Sequence, residues 1–467
     1  MATTPYHGPM TTITFLGGAD TVTGSRFLVR SNGRSTLVDC GLFQGPRSIR
    51  QLNWKDPFRN VELPETVLLT HAHIDHTGYL PRLVGTHGYS GEVRATRATT
   101  DLLSVMLPDS GRIQEEDAAY ANKKGYSRHK PALPLYTEAD AFKAMKLMAP
   151  VNYHDWVEVP VGRARFSFAG HILGSAHITV ETGGHRITFS GDVGRWDIPV
   201  LKDPQPPQDA DLLLIESTYG GRSHRDPGAD ANEMMARLFD RIAGTDGVLV
   251  IPAFSVGRTQ EILYRIRELE EEGRIPSLPI YLDSPMAIDA TEIYARHNEE
   301  HDMEMQALKQ SGSSPLRPRQ LRFTHTIAES KRLNSMRGPM VIISASGMAT
   351  AGRVPHHLKR RLPYPENIVA FVGYQAEGTR GRDLVDGADR IRIHGKDIAV
   401  RAEITRLEAY SAHADEDELV RWVRAASPKQ VVLVHGEDAA RRALADRFRA
   451  EFGIVAHLPD RGDTISI

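Results

Sequence analysis

The stretch HAHIDH, residues 71–76, places four metal-binding side chains within six residues: His71, His73, Asp75 and His76. It directly follows TVLLT, residues 66–70, a short apolar run whose composition predicts a β-strand. On extended backbone, residues two positions apart point to the same side, so the first two imidazoles can face one point. Imidazole nitrogens and carboxylate oxygens are good zinc ligands. The sequence therefore predicts a zinc site at a strand end, with a His-rich surface loop as the alternative.

Three further candidate ligands also end β-rich runs. They are His171 in FSFAGHILGSA, Asp192 in ITFSGDVGR and His435 in VVLVHGE. Each is ambiguous by itself, because a His at a strand end is often a hydrogen-bonded structural residue and an Asp before a glycine turn is often turn chemistry. Taken together, they favour one shared site at the ends of several strands.

The composition sets the broad class of protein. The chain has 467 residues, 57 Lys+Arg and 59 Asp+Glu, a formal net charge of −2, and 20 His. This length predicts two or three domains. The near-zero charge argues against a uniformly basic coat for nucleic acid but allows a local basic cleft. The single Cys40 excludes an internal disulfide framework and is expected to be a small buried residue. Without a signal peptide or membrane-length apolar run, a soluble cytoplasmic protein is expected.

The order of predicted elements indicates two kinds of architecture along the chain. Strands and turns are predicted for the first 70 residues, helices over 97–123 and 137–148, and strands again in ARFSFAG, HITVETG and RITFSGD. The Pro-rich DPQPPQ, residues 203–208, is a candidate boundary. Roughly 210–390 then alternates helices with near-continuous apolar strands, which is typical of a buried parallel sheet. Near the C-terminus, helices are predicted around 416–426 and 438–451.

Several ordered motifs resemble those of a known family. LVDCG, HAHIDH, AGHILGSA and SGDVG resemble the first four motifs of the metallo-β-lactamase superfamily. IESTYG with Glu216, YSAHAD with His413 and LVHGE with His435 resemble motifs A, B and C of its β-CASP nuclease branch. IPAFSVGRTQE, YLDSPMA, SASGMATAGR and GYQAEGTRGR resemble β-CASP domain blocks. The resemblance covers nearly the whole chain and is closest to bacterial and archaeal relatives of the pre-mRNA 3′-end cleavage endonuclease.

The resemblance implies an α/β fold, a metallo-β-lactamase αββα sandwich with an inserted α/β β-CASP domain. The sandwich would comprise residues 1–208 and 391–467, and the insert 209–390. The family also implies two Zn²⁺ per chain, although Mn²⁺ suits the same ligand types. One ion would take His71, His73, His171 and Asp192, and the other Asp75, His76, Asp192 and His435. Asp39 would hydrogen-bond a His ligand; its alternative role is a turn residue before Gly41.

The activity that the resemblance implies is a zinc-dependent ribonuclease, endo or exo, acting on single-stranded RNA by a two-metal mechanism. The expected products carry 5′-phosphate and 3′-hydroxyl ends. His435 at motif C resembles the RNA-processing members, which favours RNA over DNA. Asp75, Glu216 and His413 would be catalytic, with His413 as the general acid and Glu216 orienting it. Alternatively, His413 is a polar residue where SAHADEDEL opens a helix. A membrane is not an expected partner, and a homodimer is compatible with the sequence.

Substrate contacts are predicted in the inserted domain. Ser346 and Gly347 are small enough for backbone N–H groups to approach a phosphate, and Arg353 and Arg258 would add positive charge. Each of these arginines is alternatively an ordinary structural or solvated cation. Three other functions stay open: a small-molecule hydrolase acting on a thioester or lactam, a DNA nuclease of the same fold, and a non-catalytic RNA-binding scaffold. Glu216, His413 and the large insert argue against the first.

Overall fold

The computed structural model describes residues 11–125, 127, 129–224, 227–373, 375, 377–407 and 411–467. The first ten residues, on which the signal-peptide prediction depends, lie outside this part of the chain, as do Tyr410 of YSAHAD and two residues of GYQAEGTRGR. The described chain forms two compact units. The first unit comprises the residues up to Trp196, Asp203–Ser223 and His413–Ile467, and the second comprises Asp197–Lys202 and His224–Ala412.

Strands and helices are numbered along the whole chain. The strands are β1 (Thr12–Gly17), β2 (Arg26–Ser31), β3 (Arg34–Val38), β4 (Thr66–Leu68), β5 (Glu92–Thr96), β6 (Met148–Val151), β7 (Trp156–Val159), β8 (Gly162–Phe168), β9 (Ala176–Thr182), β10 (His185–Phe189), β11 (Leu212–Glu216), β12 (Val248–Pro252), β13 (Ile280–Leu282), β14 (Leu321–Phe323), β15 (Met340–Ser344), β16 (Ile368–Val372), β17 (Arg390–Ile393), β18 (Lys396–Ala399), β19 (Glu403–Leu407), β20 (Gln430–Val434) and β21 (Thr464–Ser466).

The helices follow the same numbering. They are α1 (Arg47–Arg50), α2 (Ile74–Thr77), α3 (Leu80–Gly85), α4 (Arg97–Lys124), α5 (Glu138–Met145), α6 (Pro227–Ala243), α7 (Arg258–Glu271), α8 (Pro285–Arg296), α9 (Met303–Gln310), α10 (Ile327–Leu333), α11 (Val354–Arg361), α12 (Arg380–Val385), α13 (Glu416–Ala426) and α14 (Asp438–Phe452). No helix of the described chain combines the length and apolar content needed to cross a membrane.

Two sheets pack face to face in the first unit. One has the strand order β21-β1-β2-β3-β4-β5-β6, and the other β20-β11-β10-β9-β8-β7. Their inner faces share one apolar core, in which the rings of Phe27 and Phe189 stack 6.0 Å apart. Helices cover the outer faces: α4 packs on β5 and β6, and α13 with the buried Trp422 packs on the second sheet. The layers are therefore αββα, as the resemblance implies.

The second unit is built around one parallel sheet of order β14-β13-β15-β12-β16-β19. All five residues of β12, VLVIP, are buried, because both faces of the sheet are covered. One face packs against α6, α7 and α8, through side chains such as Phe239 and Leu263. The other face packs against α11 and α12 through Leu358 and Leu384. The hairpin of β17 and β18 lies beside this second layer.

The chain passes from one compact unit to the other at positions that differ from the predicted boundaries at 208/209 and 390/391. Strand β11 pairs with β10 and β20, so the first unit runs on to Ser223. Strand β19 pairs with β16, so the second unit extends to Ala412. The partners of these strands cannot be read from local sequence, because strand pairing is a long-range property.

Local signals set the ends of the helices. Thr96 caps α4 by accepting a hydrogen bond from the Thr99 N–H, and Gly125, with φ of 66°, ends it. This helix matches the prediction over 97–123. The prediction of a helix over 137–148 is wrong at its C-terminal end, where α5 stops at Met145 and β6 begins at Met148. Residues 148–151 pair with β5, and this tertiary contact overrides the helical periodicity.

Candidate metal centre

The HAHIDH stretch lies at the carboxyl end of β4, between that strand and α2. His71 and His73 lie on the connection, and His73 is the residue that precedes the first turn of α2. Asp75 and His76 belong to α2 itself. A carboxylate in the first turn is favoured by the partial positive charge at a helix N-terminus. The change from extended chain to helix turns all four side chains toward a common region.

A first group of donor atoms comes from His71, His73, His171 and Asp192, whose ligand atoms lie within 4.8 Å of one another. The Nδ1 atom of His73 is 3.2 Å from His71 Nε2 and 3.1 Å from His171 Nε2. Asp192 Oδ2 is 3.5 Å from both of those Nε2 atoms. A tetrahedral zinc site with bonds of about 2.0–2.1 Å has ligand atoms about 3.3–3.4 Å apart. The donor set and its spacing fit zinc.

A second group comes from Asp75, His76 and His435. The Nε2 atoms of His76 and His435 are 3.3 Å apart, and Asp75 Oδ2 is 3.6 Å from His435 Nε2. His435 follows β20 directly and has a φ of 48°, a left-handed conformation that is uncommon for residues other than glycine. Strain of this kind is often found at functional sites.

Asp192 lies between the two groups. Its Oδ2 faces the first group, and its Oδ1 is 3.2 Å from His76 Nε2 and 3.3 Å from His435 Nδ1. Oδ1 is buried and makes no hydrogen bond. A buried carboxylate oxygen without a hydrogen bond is costly unless a cation compensates it. The chemistry of this position therefore fits a carboxylate shared by two metal ions.

Asp39 supports the second group from behind. It has a φ of 60°, and its Oδ2 is 2.7 Å from His76 Nδ1. The Thr70 N–H donates to Asp39 Oδ1 at 2.8 Å, and the Thr70 hydroxyl donates to Oδ2 at 3.0 Å. With Nδ1 engaged by a carboxylate, the imidazole of His76 presents Nε2 to the centre. The predicted contact between Asp39 and a candidate ligand is present.

The protonation of the three imidazoles in the first group suits metal binding. Burial lowers the pKa of His71 to about 3 and that of His73 to about 4, and it lowers the pKa of His171 well below its usual value. These imidazoles are neutral at pH 7, as a metal ligand must be. Burial alone would lower the pKa of His76 and raise that of Asp192. For His76 the Asp192 and Asp39 carboxylates outweigh burial and raise the pKa, and for Asp192 the His435 and His76 imidazoles outweigh burial and lower the pKa. A metal ion bound by His76 would therefore displace a proton.

Beside the two groups lies a carboxylate–imidazole pair. His413 Nδ1 is 3.2 Å from Glu216 Oε1 and 3.9 Å from Asp192 Oδ2. Glu216 ends β11, is fully buried, and accepts a hydrogen bond of 2.7 Å from the Val193 N–H. Burial lowers the pKa of His413, but the Glu216 and Asp192 carboxylates raise it to about 9. The His413 side chain keeps 22 % exposure, so it can reach a molecule at the surface of the centre.

His413 lies close to the start of helix α13 but is not its capping residue. The N-cap of α13 is Asp415, which forms a capping box with Glu418. His413 lies two residues earlier and pairs with Gly194 in an isolated β-bridge. Its backbone is therefore anchored to the loop that carries Asp192, and its side chain faces Glu216.

The predicted substrate residues lie in the second unit. The Arg258 guanidinium is buried and paired with Glu261. Arg353 Nη1 is 2.7 Å from Asp283 Oδ1. Ser346 Oγ is 3.1 Å from Thr350 Oγ1, and a Cβ at Gly347 would come within 2.9 Å of Phe254. These contacts give each residue a structural role, and their assignment to RNA stays a prediction.

The structure adds three residues around the centre that sequence reasoning missed. Thr70 contacts both Asp39 and His71 Nδ1, the latter at 3.0 Å, and its position directly before HAHIDH was the available signal. Thr218 Oγ1 is 3.3 Å from His435 Nδ1. Arg26 is buried over the Tyr79 ring and donates to the Gly41 carbonyl through Nε and Nη2.

Cys40 is buried, which raises the pKa of its thiol to about 12, as expected for an inert residue.

Three family models match the chain in succession. The metallo-beta-lactamase superfamily model matches residues 20–253, and the Beta-Casp domain model matches residues 259–384. The model of a Zn-dependent metallo-hydrolase RNA specificity domain matches residues 397–459. Together they span most of the chain and include every residue of the candidate centre.

Several known proteins are similar over most of this chain. Ribonuclease TTHA0252 of Thermus thermophilus is 38 % identical over 92 % of this chain and 94 % of its own length. Transcription termination factor FttA of Methanocaldococcus jannaschii is 31 % identical over 97 % of this chain and 71 % of its own length. A solved structure of a protein of unknown function from Enterococcus faecalis shares the fold, with a TM-score of 0.56 at 14 % identity, over 98 % of this chain and 100 % of that one.

Proposed function

Because the chain belongs to the β-CASP branch of the metallo-β-lactamase superfamily and is a metal-dependent ribonuclease, we propose a specific site and cofactor for its reaction. The protein hydrolyses single-stranded RNA at the candidate centre with two zinc ions bound. The observation that carries this proposal is the convergence of seven donor side chains in two groups that share Asp192, beside the His413–Glu216 pair. Manganese is the alternative ion for the same donors.

The two ions would be held by the two groups of donors described above. His71, His73 and His171 would hold one ion, Asp75, His76 and His435 the other, and Asp192 both. When bound, zinc supplies Lewis acidity, which withdraws charge from a phosphodiester oxygen and lowers the pKa of water. The chain's own contribution is to hold seven imidazole and carboxylate ligands, five of them buried, at the ends of β4, β8, β10 and β20, so that little reorganisation accompanies the reaction.

His413 is proposed as the general acid. Cleavage of the P–O3′ bond leaves a 3′-oxygen that needs a proton, and it yields the proposed 3′-hydroxyl and 5′-phosphate ends. Glu216 accepts from His413 Nδ1 and so orients the ring, which leaves the proton on Nε2 for transfer. Glu216 is itself held by the Val193 N–H, which makes it a positioning residue.

The test is cleavage of end-labelled single-stranded RNA by zinc-loaded wild type and His413→Ala. Loss of a general acid is expected to slow cleavage by about 10²–10⁴-fold, with the zinc content of the protein unchanged. His185→Ala, a partly exposed His on β10 outside the centre, is the matched control. Equal cleavage by His413→Ala and wild type would contradict the proposed role. Treatment of the products with phosphatase and a 5′-phosphate-dependent exonuclease identifies their ends.

A small-molecule hydrolase on the same scaffold is not favoured. The Beta-Casp domain and RNA specificity domain models match most of the second half of the chain, and a ribonuclease is similar over nearly its full length. Turnover of a generic thioester without any RNA cleavage would reverse this ranking.

A further inference from the structure

The arginines that the sequence offers for RNA contacts are engaged within the second unit. Arg258 pairs with Glu261, and Arg353 pairs with the buried Asp283 and with two backbone carbonyls. Arg361 is buried and donates to carbonyls at the end of α10 and just beyond it. A guanidinium that is paired with a carboxylate, as in Arg258 and Arg353, or buried, as in Arg361, has little capacity left for a phosphate.

A different set of cations lies at the surface of the same unit. We call it the imidazole patch: His356 and Lys359 on α11, His394 at the β17–β18 turn, Arg380 at the start of α12, and Lys331 on α10. The rings of His356 and His394 lie side by side, with centroids 4.4 Å apart, and both residues are exposed. Within the described chain, none of the five makes an ion pair with a carboxylate.

The backbone conformation of His394 indicates that the turn itself does not require a histidine. His394 and Gly395 form a two-residue turn between Ile393 and Lys396, with φ of 48° and 75°. Such turns favour Asn–Gly, because both residues must adopt positive φ. Histidine at the first position is less favourable for the turn, yet it brings a second imidazole against His356.

Arg380 joins the parts of the patch. Its Nε donates to the Arg392 carbonyl at 3.1 Å, and its Nη1 donates to the carbonyls of Ala349 at 3.2 Å and Thr350 at 2.9 Å. These bonds fix the guanidinium between β17 and the loop that precedes α11. Unlike Arg258 and Arg353, it has no carboxylate partner in the described chain, and unlike Arg361 it is only partly buried, so its charge can still face a phosphate. The positive charge of the patch is therefore partly pre-ordered, which reduces the entropy cost of binding a partner.

The electrostatics favour an anion over a metal ion. His356 interacts electrostatically with groups that include His394, Lys359 and Lys331. His394 interacts in the same way with Lys359 and Arg380. All of these groups are cationic, or cationic when protonated. A metal ion bound by the two imidazoles would be repelled by the neighbouring ammonium and guanidinium groups, none of which is paired with a carboxylate of the described residues. Phosphate groups would be attracted, and imidazole rings can also stack on unpaired bases.

We propose that the imidazole patch is a second contact surface for single-stranded RNA, with phosphates against Lys359 and Arg380 and a base stacked on the imidazole pair. The inference rests on the ribonuclease function proposed above and names a site on the second unit that binds the same substrate. It makes RNA binding depend on residues outside the metal centre.

The experiment measures fluorescence anisotropy of a labelled single-stranded RNA of about 20 nucleotides, long enough to exceed one binding site. The protein is zinc-loaded and carries His413→Ala so that the RNA stays intact. The patch variant adds Lys359→Gln and His394→Asn, the latter chosen because Asn suits the turn. The control adds Lys123→Gln and His185→Asn, which make the same charge change on α4 and β10. Melting temperature and zinc content verify the folding of each protein.

The patch variant is expected to bind RNA about 3–10-fold more weakly than the control, and the slope of log Kd against log salt is expected to fall by about 0.7, one phosphate contact. Equal affinities and slopes for both proteins would overturn the inference. Loss of a bound zinc ion from the patch variant would also overturn it, in favour of a metal site. If neither the parent nor the control binds RNA, the proposed function itself fails.

Discussion

Asp192 shows how one residue can define the candidate centre. It ends the SGD turn after β10, and its two oxygens face two different groups of imidazoles. Because one of these oxygens is buried without a hydrogen bond, the residue is suited to a cation and poorly suited to a purely structural role. Asp39 acts one step further out, through the hydrogen bond to His76 Nδ1.

At this scale we predict that Asp39→Ala weakens zinc binding by about 10–100-fold, the usual effect of losing an outer hydrogen bond to a metal ligand. The substitution frees His76 Nδ1 and removes the acceptor of two hydrogen bonds from Thr70. Zinc affinity is measured by competition with a chromogenic chelator. Asp446→Ala, at an exposed position of α14, is the control. An affinity within twofold of wild type would contradict the role.

A second prediction concerns His177, on β9 away from the centre. Burial, together with the nearby Arg165 and His154, lowers the pKa of this residue to about 3, and its ring packs edge-on against Trp422 at 5.6 Å. Below pH 6.5 the unfolded chain takes up a proton that the folded chain excludes, so this residue costs stability as the pH falls from 6.5 toward 3.

His177→Phe removes that proton uptake. We expect the unfolding free energy of wild type to fall more steeply than that of the variant between pH 6.5 and 4.5, by up to about 1 kcal/mol per pH unit. Urea unfolding of metal-free protein at several pH values measures both curves. Parallel curves would mean that His177 is protonated equally in the folded and unfolded chains.

At the scale of elements, the ends of strands and helices place the functional side chains. Strands β4, β8, β10, β11 and β20 each end shortly before or at a residue of the centre. Helix α13 follows His413 closely, and its capping box links two parts of the first unit, because Glu418 also accepts a hydrogen bond from the Trp196 N–H. The start of this helix therefore fixes the chain just beyond His413.

We predict that Asp415→Ala lowers the free energy of unfolding by about 1 kcal/mol, the usual value of an N-cap. The Asp415 carboxylate accepts from the Glu418 N–H at 2.9 Å, and alanine leaves that donor unsatisfied. Asp415→Asn keeps the acceptor and is expected to restore most of the stability. Urea unfolding of the three proteins measures this difference. An Asn variant as unstable as the Ala variant would show that the cap is unimportant.

At the scale of the whole molecule, charge is distributed unevenly. The formal net charge is −2, and the centre of the first unit contains the buried carboxylates Asp39, Asp192 and Glu216. Two divalent cations would reverse the sign of the net charge and place positive potential where the phosphodiester must lie. The composition is therefore compatible with an RNA-binding protein whose positive charge is partly supplied by metal.

We predict that removing metal weakens RNA binding and lowers the melting temperature together, because the ions bind the folded chain preferentially. The measurements are melting temperature and RNA anisotropy of His413→Ala protein before and after treatment with EDTA. Adding zinc back is expected to restore both values, whereas adding magnesium, which prefers oxygen ligands, is expected to restore neither. Unchanged RNA affinity after metal removal would contradict this picture.

The sequence by itself determined the ligand types and the elements that carry them. HAHIDH, and the His or Asp residues that follow apolar runs, are local patterns, and strand formation at such runs depends mainly on nearby residues. The same holds for α4, whose cap and terminal glycine are local signals. The motifs also carried the family resemblance, which the matches to family models confirm.

Only the tertiary structure decided which distant residues meet. Glu216 and His413 are 197 residues apart in sequence, and their contact depends on the β-bridge between Gly194 and His413. Arg258 and Arg353 resemble RNA ligands in sequence but are paired with Glu261 and Asp283. Likewise, β11 and β19 joined their sheets through partners far along the chain. The physical reason is that pairing, burial and charge compensation depend on packing between distant segments, whereas propensity and spacing act over a few residues.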